Sequence, residues 1–450
     1  MAPLTLPTPA SAAGSESVER RYSTGALLLA AAVPLLFLHV MYQPKLAIPL
    51  AGASVDPALS DAAIAAVVVA TLVRLRRDGL GVLRPAAAPL IAAAAFLGIV
   101  VASCFLPVLR GQEYTLATAL VSAAKFCWYA LLAPATIVLI RRRSEGALVL
   151  RTLVAWSLAA TAWGGLQFLG LVNEFEGKRP GQREPSFLGI HDLAALSGAA
   201  LALGLIGVIL GGEAVGRRWS TTAIGSGALG LILSGAMSGV IGVWLAAGAT
   251  VAIVYRNGRP RRRSVAWIAV VLVAVTVGTS AMRATALDRF AEFHGIRDHT
   301  AQSGGIQSYA HRTLLGYIGV RIFLDHPVTG VGWQASASDF AYSPYLDAAR
   351  RRFPSEPVEA FPSPQHRWGV QNAYLETLAD LGVIGFVALL TAFGSALVTG
   401  VRRSRTTPLA LVGVAWLLVA SGVWIGLGLT AGIPLAALTW MAFGLTCSRA

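Results

Sequence analysis

Apolar residues in this chain gather into long runs separated by short polar stretches, at 25–41, 61–73, 86–107, 116–140, 150–171, 192–210, 220–235, 239–255, 265–283, 373–400, 408–426 and 430–447. A helix rises about 1.5 Å per residue and needs roughly 20 apolar residues to cross a bilayer. The pattern therefore predicts an all-α polytopic membrane protein with about 12 transmembrane helices. The first run is read as an uncleaved helix interrupted by Pro34, because the nearby Ala-x-Ala-like site, Ala51-Gly52-Ala53, lies beyond it. Ser234-Gly235-Ala236-Met237-Ser238-Gly239 interrupts 220–255. Two short helices with a tight outer turn keep the loops alternating there. Gly225-Ser226-Gly227-Ala228-Leu229-Gly230 fits G-x-G-x-x-G, but no strand precedes it, so close helix packing is the better reading.

Two polar segments are too long to be simple connections. The first, 172–191, carries Glu174, Glu176, Lys178, Arg179, Arg183 and Glu184. The second, 284–371, has helical periodicity between Tyr309 and Asp325, followed by the turn-rich Pro327-Val328-Thr329-Gly330-Val331-Gly332-Trp333. That combination predicts a small ordered helical cap. The expected organisation is a disordered cytoplasmic tail over 1–24 and a membrane domain over 25–283 that holds nine helices and the outer loop 172–191. A large extracytoplasmic loop over 284–371 and three last helices over 372–450 complete it.

Composition adds class and orientation. Of 450 residues 55% are hydrophobic and 13% charged, and the mean hydropathy is +0.65, too apolar for a soluble chain of this size. The net charge of +14 raises the question of nucleic acid. Its distribution argues for membrane topology instead, because the two tails and the loops expected inside hold 21 basic and 5 acidic residues. Arginine-bearing loops at 74–84, 141–151, 211–219, 256–264 and 401–405 follow every second run, so the positive-inside rule puts both termini in the cytoplasm. Cys104, Cys127 and Cys447 sit in apolar runs and offer neither a disulfide framework nor metal spacing.

Candidate chemistry gathers at the start of the run 373–400. Helical spacing aligns Asn372, Glu376 and Asp380 at i, i+4 and i+8, a polar ridge entering an apolar helix behind Gln371. Helix capping by Asn372 and ion pairing of the two acids is the competing structural reading. Lys125 stands about ten residues inside its run, where a charge is costly unless paired or functional, which makes Glu376 or Asp380 its expected partner. Arg312 opens the periodic segment near Gly316 and Gly319, and Arg321 faces the opposite way. His366 lies just ahead of Gln371.

Gln371-Asn372, nine further residues and Gly382-Val383-Ile384-Gly385 resemble the signature of the O-antigen ligase family, which includes polysaccharide polymerases. The family usually has His where Gln371 stands, and many members carry an Arg in the turn where this chain has Ser238. His326-Pro327-Val328-Thr329-Gly330-Val331-Gly332 is similar to its loop element, and Arg183 to Asp192 is a looser match in which Ser186 stands near a usual Gly and His191-Asp192 replace the usual polar pair. Asp192 has the alternative role of helix cap.

The resemblance implies a GT-C-like fold and an inverting glycosyltransferase in the cell inner membrane. Such an enzyme moves a glycan from a polyprenyl diphosphate to an acceptor hydroxyl on a glycan, lipid or protein at the outer face, with membrane lipids around it and no metal or other cofactor. Under it, Arg183 and Arg312 are candidates for the diphosphate, with Arg321, Lys125 and Asp380 as further binding residues. Gln371, Asn372, His366 and Glu376 are the catalytic candidates. An amide does not titrate near neutral pH, so either His366 or an acid acts as base in place of Gln371, or this chain has lost or altered the reaction. A polymerase of the same fold and a 12-helix secondary transporter remain open alternatives. The topology makes a direct prediction: in cells, a single cysteine at position 350 should react with an impermeant maleimide and one at position 262 should not, and the reverse pattern would invert the orientation.

Overall fold

The computed structural model describes residues 22–44, 48–50, 53–172, 175, 180–258, 262–287, 308–354, 356–430 and 432–449. The expected N-terminal tail lies almost wholly outside them. Each of the twelve apolar runs coincides with a helix: α1 (Thr24–Leu36), α2 (Leu59–Asp78), α3 (Ala87–Ser103), α4 (Leu116–Ala130) continued after a break by α5 (Leu132–Leu139), α6 (Arg143–Phe168) and α7 (Ile190–Ile209). The rest are α8 (Arg217–Ser234), α9 (Met237–Asn257), α10 (Arg262–Met282), α12 (Ala373–Arg403), α13 (Pro408–Val423) and α14 (Ile433–Thr446), with α11 (Ser308–Asp325) in the cap. Among the described residues 8 helical stretches are long and apolar enough to cross a membrane, and α1 and α14 are shorter apolar helices.

Three local expectations change. Pro34 lies inside α1 without ending it, since the helix continues to Leu36. A short antiparallel hairpin, β1 (Ile48–Leu50) with β2 (Ala53–Val55), departs from an all-α chain. The helix expected over 373–400 is broken at Gly382, whose φ of 63° and ψ of −164° leave the helical region.

Two helices form the interior of the bundle. α7 is buried over 89% of its apolar window and the span Pro408–Gly426, which contains α13, over 83%, against 22% for α10. Apolar burial gives no preference for helix against lipid, so close backbone approach and interhelical hydrogen bonds must hold such a pair. Trp416 Nε1 accordingly donates to Ala199 O at 2.9 Å. Gly227 lets α8 lie on α7, since a Cβ there would come within 2.5 Å of Leu201 N, which assigns the glycine-rich run to helix packing. The segment 220–255 is two helices joined through Gly235 and Ala236, with Gly235 left-handed at φ 58°.

The cap has its own apolar cluster, in which Leu314, Leu315, Ile318 and Ile322 of α11 meet Tyr342 and Phe361. It is joined to the bundle through the broken helix. Val331 N donates to Ala379 O (3.0 Å), Gly332 N to Asp380 O (2.8 Å) and Val383 N to Pro327 O (2.8 Å), so the loop after α11 takes up backbone groups that the break in α12 frees. Gly330 sits at φ 65° with its α-carbon against the Asp380 backbone, where a Cβ would collide with the carbonyl. From this loop Trp333 reaches into the bundle, packing on Phe126 at 5.4 Å and donating Nε1 to Ser122 Oγ at 3.3 Å.

Candidate functional site

At the cap end of the bundle a cavity of about 310 Å³ lies between α7, the α8–α9 turn, α11 and the start of α12. Four chain segments bring its polar side chains together. Arg183 precedes α7 in a segment fixed by Glu184 N donating to Leu233 O (2.8 Å) and by Ser186 Oγ donating to Ala160 O (2.7 Å). Arg283 follows directly on α10 and lays its guanidinium over the Tyr309 ring, 4.7 Å from the centroid. Only 6% exposed, it leaves its Nε buried with no hydrogen-bond partner among the described residues. Arg312, in the first turns of α11, donates Nε to Gln371 Oε1 at 3.2 Å and contacts His191 Nε2 through Nη2 at 2.9 Å. Burial, and secondarily the charge of Arg283, pulls the Arg312 guanidinium below its ordinary pKa.

Asn372 closes the cavity floor as the N-cap of α12. Its Oδ1 accepts from Tyr374 N (3.1 Å) and Leu375 N (3.0 Å), and its Nδ2 donates to Ile425 O (3.0 Å). The fork therefore ties the helix start to the end of α13 while one face of Asn372 and Gln371 lines the cavity. Ala236 and Met237 line the wall where α9 begins without a side-chain cap, and α7 likewise starts after the uncapped Gly189. Uncapped N–H groups and the helix dipole make such ends attractive to anions. No carboxylate is among the described residues that line the cavity. Three guanidinium groups and two helix starts, with no acid among the described lining residues, suit it to an anion.

The candidates named from sequence divide. Arg183, Arg312, Gln371 and Asn372 come together here. Glu376 does not line the cavity, because it turns to α14's side and accepts a hydrogen bond from Leu429 N at 2.5 Å. Asp380, 2% exposed, accepts from Gln334 N and Ser336 N, both at 2.9 Å, and so fixes the cap loop. Lys125 pairs with neither acid. It lies 3.6 Å from Asp61 of α2 and donates to Asp56 O at 3.2 Å, since α4 packs beside α2 and the end of the hairpin. Arg321 is exposed over the Tyr317 ring (5.3 Å), and exposed His366 lies parallel to Trp368 (5.9 Å) outside the cavity. Asp192 caps α14 rather than its own helix, accepting from Leu435 N at 3.0 Å.

Arg283 and His191 were not singled out from the sequence. Arg283 closes an apolar run in Ala281-Met282-Arg283, and an arginine at the mouth of the large polar loop was its one signal. His191 was legible only as half of the pair that departs from the loose motif.

The fold and the cavity define the class: a polytopic helical membrane protein with a cationic cavity under a cap. Residues 222–390 match the family model described as O-Antigen ligase. That stretch runs from α8 through the cap to the middle of α12, supplies Arg283, Arg312, Gln371 and Asn372, and is similar to the O-antigen ligases. No curated protein matches the chain.

The placement of Asp380 predicts a structural phenotype. Asp380→Ala orphans two backbone N–H groups, and each buried group left unsatisfied costs about 1–3 kcal/mol. Its melting temperature in detergent should fall clearly while the folded fraction still binds a lipid diphosphate. An unchanged melting temperature with lost binding would return Asp380 to the substrate.

Proposed function

We propose that the protein transfers a glycan from a polyprenyl diphosphate carrier to an acceptor hydroxyl at the outer face of the inner membrane. The observation that carries this reading is the convergence of Arg183, Arg283 and Arg312 on a cavity whose described lining contains no acid. A diphosphate leaving group gains negative charge as its bond to the sugar C1 breaks, and fixed guanidinium and backbone donors stabilise that charge without reorganising. Arginine suits the task because its planar fork matches phosphate oxygens in pairs. Asn372 and Gln371 supply neutral amide donors and acceptors at the floor, suited to sugar hydroxyls. Attack by the acceptor from the side opposite the diphosphate is a single displacement and inverts C1.

Arg283 and Arg312 would bind the diphosphate in both ground and transition state, so their loss acts on affinity as well as turnover. A charged hydrogen bond contributes about 1.5–3 kcal/mol, so Arg283→Ala should weaken donor binding by roughly 10- to 150-fold. The purified protein, given a lipid-diphosphate glycan, should release free lipid diphosphate only when an acceptor is present. An oligosaccharide acceptor supports a ligase, and a second lipid-linked glycan as acceptor supports a polymerase. Equal release with and without acceptor, or donor affinity unchanged by Arg283→Ala and Arg312→Ala, would overturn the proposal.

A further inference from the structure

Transfer to a hydroxyl requires that its proton leave, and the side chains around the cavity narrow where it can go. Arginine does not deprotonate in proteins, and Gln371 and Asn372 do not titrate. His191 is the one lining side chain with a nitrogen lone pair that can accept a proton.

The hydrogen bonding fixes which nitrogen carries that lone pair. Arg312 Nη2 lies 2.9 Å from His191 Nε2. A guanidinium has only donors, so Nε2 must be the acceptor, the ring is neutral and its proton sits on Nδ1. Nδ1 is buried with no hydrogen-bond partner among the described residues, so no carboxylate behind the ring competes for that proton. The base is therefore present in its active tautomer, with its lone pair occupied by an arginine that also faces the anion-binding cavity.

We propose that His191 is the general base of the transfer and that donor binding releases it, an assignment that rests on the glycosyl-transfer reading above. When the diphosphate enters, Arg312 gives its Nη2 hydrogen bond to a phosphate oxygen, and the Nε2 lone pair turns to the acceptor. The acceptor oxygen then forms its bond to C1 as its proton passes to Nε2. The C1–O bond to the diphosphate breaks, and its electron pair leaves with the lipid diphosphate. The imidazolium faces the new negative charge and returns its proton to the departing diphosphate or to water. Without the donor the lone pair stays bound to Arg312, which disfavours activation of a stray hydroxyl.

The test compares wild type, His191→Gln and His191→Ala for donor binding, turnover against pH, and rescue by added imidazole. Both variants should bind the lipid-diphosphate glycan within about threefold of wild type while kcat falls by about 10²- to 10⁴-fold, the range of general base catalysis. The acid limb of the wild-type rate profile should disappear in the residual activity of His191→Gln. Imidazole should restore part of the His191→Ala rate, which loss of a merely structural ring would not allow. Turnover within threefold of wild type in His191→Gln with the acid limb intact would overturn the assignment and leave the transfer reading standing. If His191→Ala does not fold, the decision falls to His191→Gln, whose amide oxygen can still accept from Arg312. A wild-type protein that binds donor but transfers to no acceptor would sink the transfer reading itself.

Discussion

The geometry of the cavity depends on one backbone junction, the place where α12 breaks and the cap loop fills the gap. Gly382 leaves the helical region, and the amides and carbonyls freed there pair with 327–332, while the Asp380 carboxylate takes the amides of Gln334 and Ser336. Gly330 and Gly382 permit this because each side's backbone lies where a Cβ of the other would stand. α11 is anchored through that loop, so the junction helps hold Arg312 against Gln371 and His191. Without it the cap would keep only side-chain hydrogen bonds such as Trp333 Nε1 to Ser122 Oγ and apolar contacts, and the latter do not fix a register.

Bringing three arginines to a cavity whose described lining holds no acid is costly, and the surroundings show how the cost is limited. Arg283 lies on the face of Tyr309, a cation–π contact that needs no counter-ion. Arg312 spends two of its donors on neutral acceptors, Gln371 and His191. Gln371 thus has a clear use beside Arg312: an amide oxygen orients the guanidinium and leaves its charge available to a ligand. Two nearby acids accept backbone amides outside the cavity, Glu376 from Leu429 N and Asp192 from Leu435 N. The site is therefore suited to an entering anion.

Much of the scaffold was legible because membrane helices announce themselves by hydropathy, and each apolar run is a helix. Arg183, Arg312, Gln371 and Asn372 could be nominated because polar residues at helix mouths beside long polar loops stand out. The roles of Glu376 and Asp380 were not legible, since the amides they accept from, Leu429 N for Glu376 and Gln334 N and Ser336 N for Asp380, lie in segments distant in sequence. Lys125 was expected beside those acids, but the nearest carboxylate is on α2, and which helices are neighbours is set by packing rather than by local sequence. His191 stayed hidden for the same reason, as its partner Arg312 lies 121 residues away.

The central claim is that the cap-end cavity holds a diphosphate on Arg183, Arg283 and Arg312. The measurement that meets it most directly is a cryo-electron microscopy structure of the protein in nanodiscs with a non-hydrolysable lipid-diphosphate glycan. The account predicts phosphate oxygens at hydrogen-bond distance, about 2.7–3.2 Å, from those guanidinium groups, with Arg312 Nη2 moved off His191 Nε2. Diphosphate density at the opposite end of the bundle, in the cavity beside Arg143 and Arg405, with the cap-end cavity empty, would contradict it.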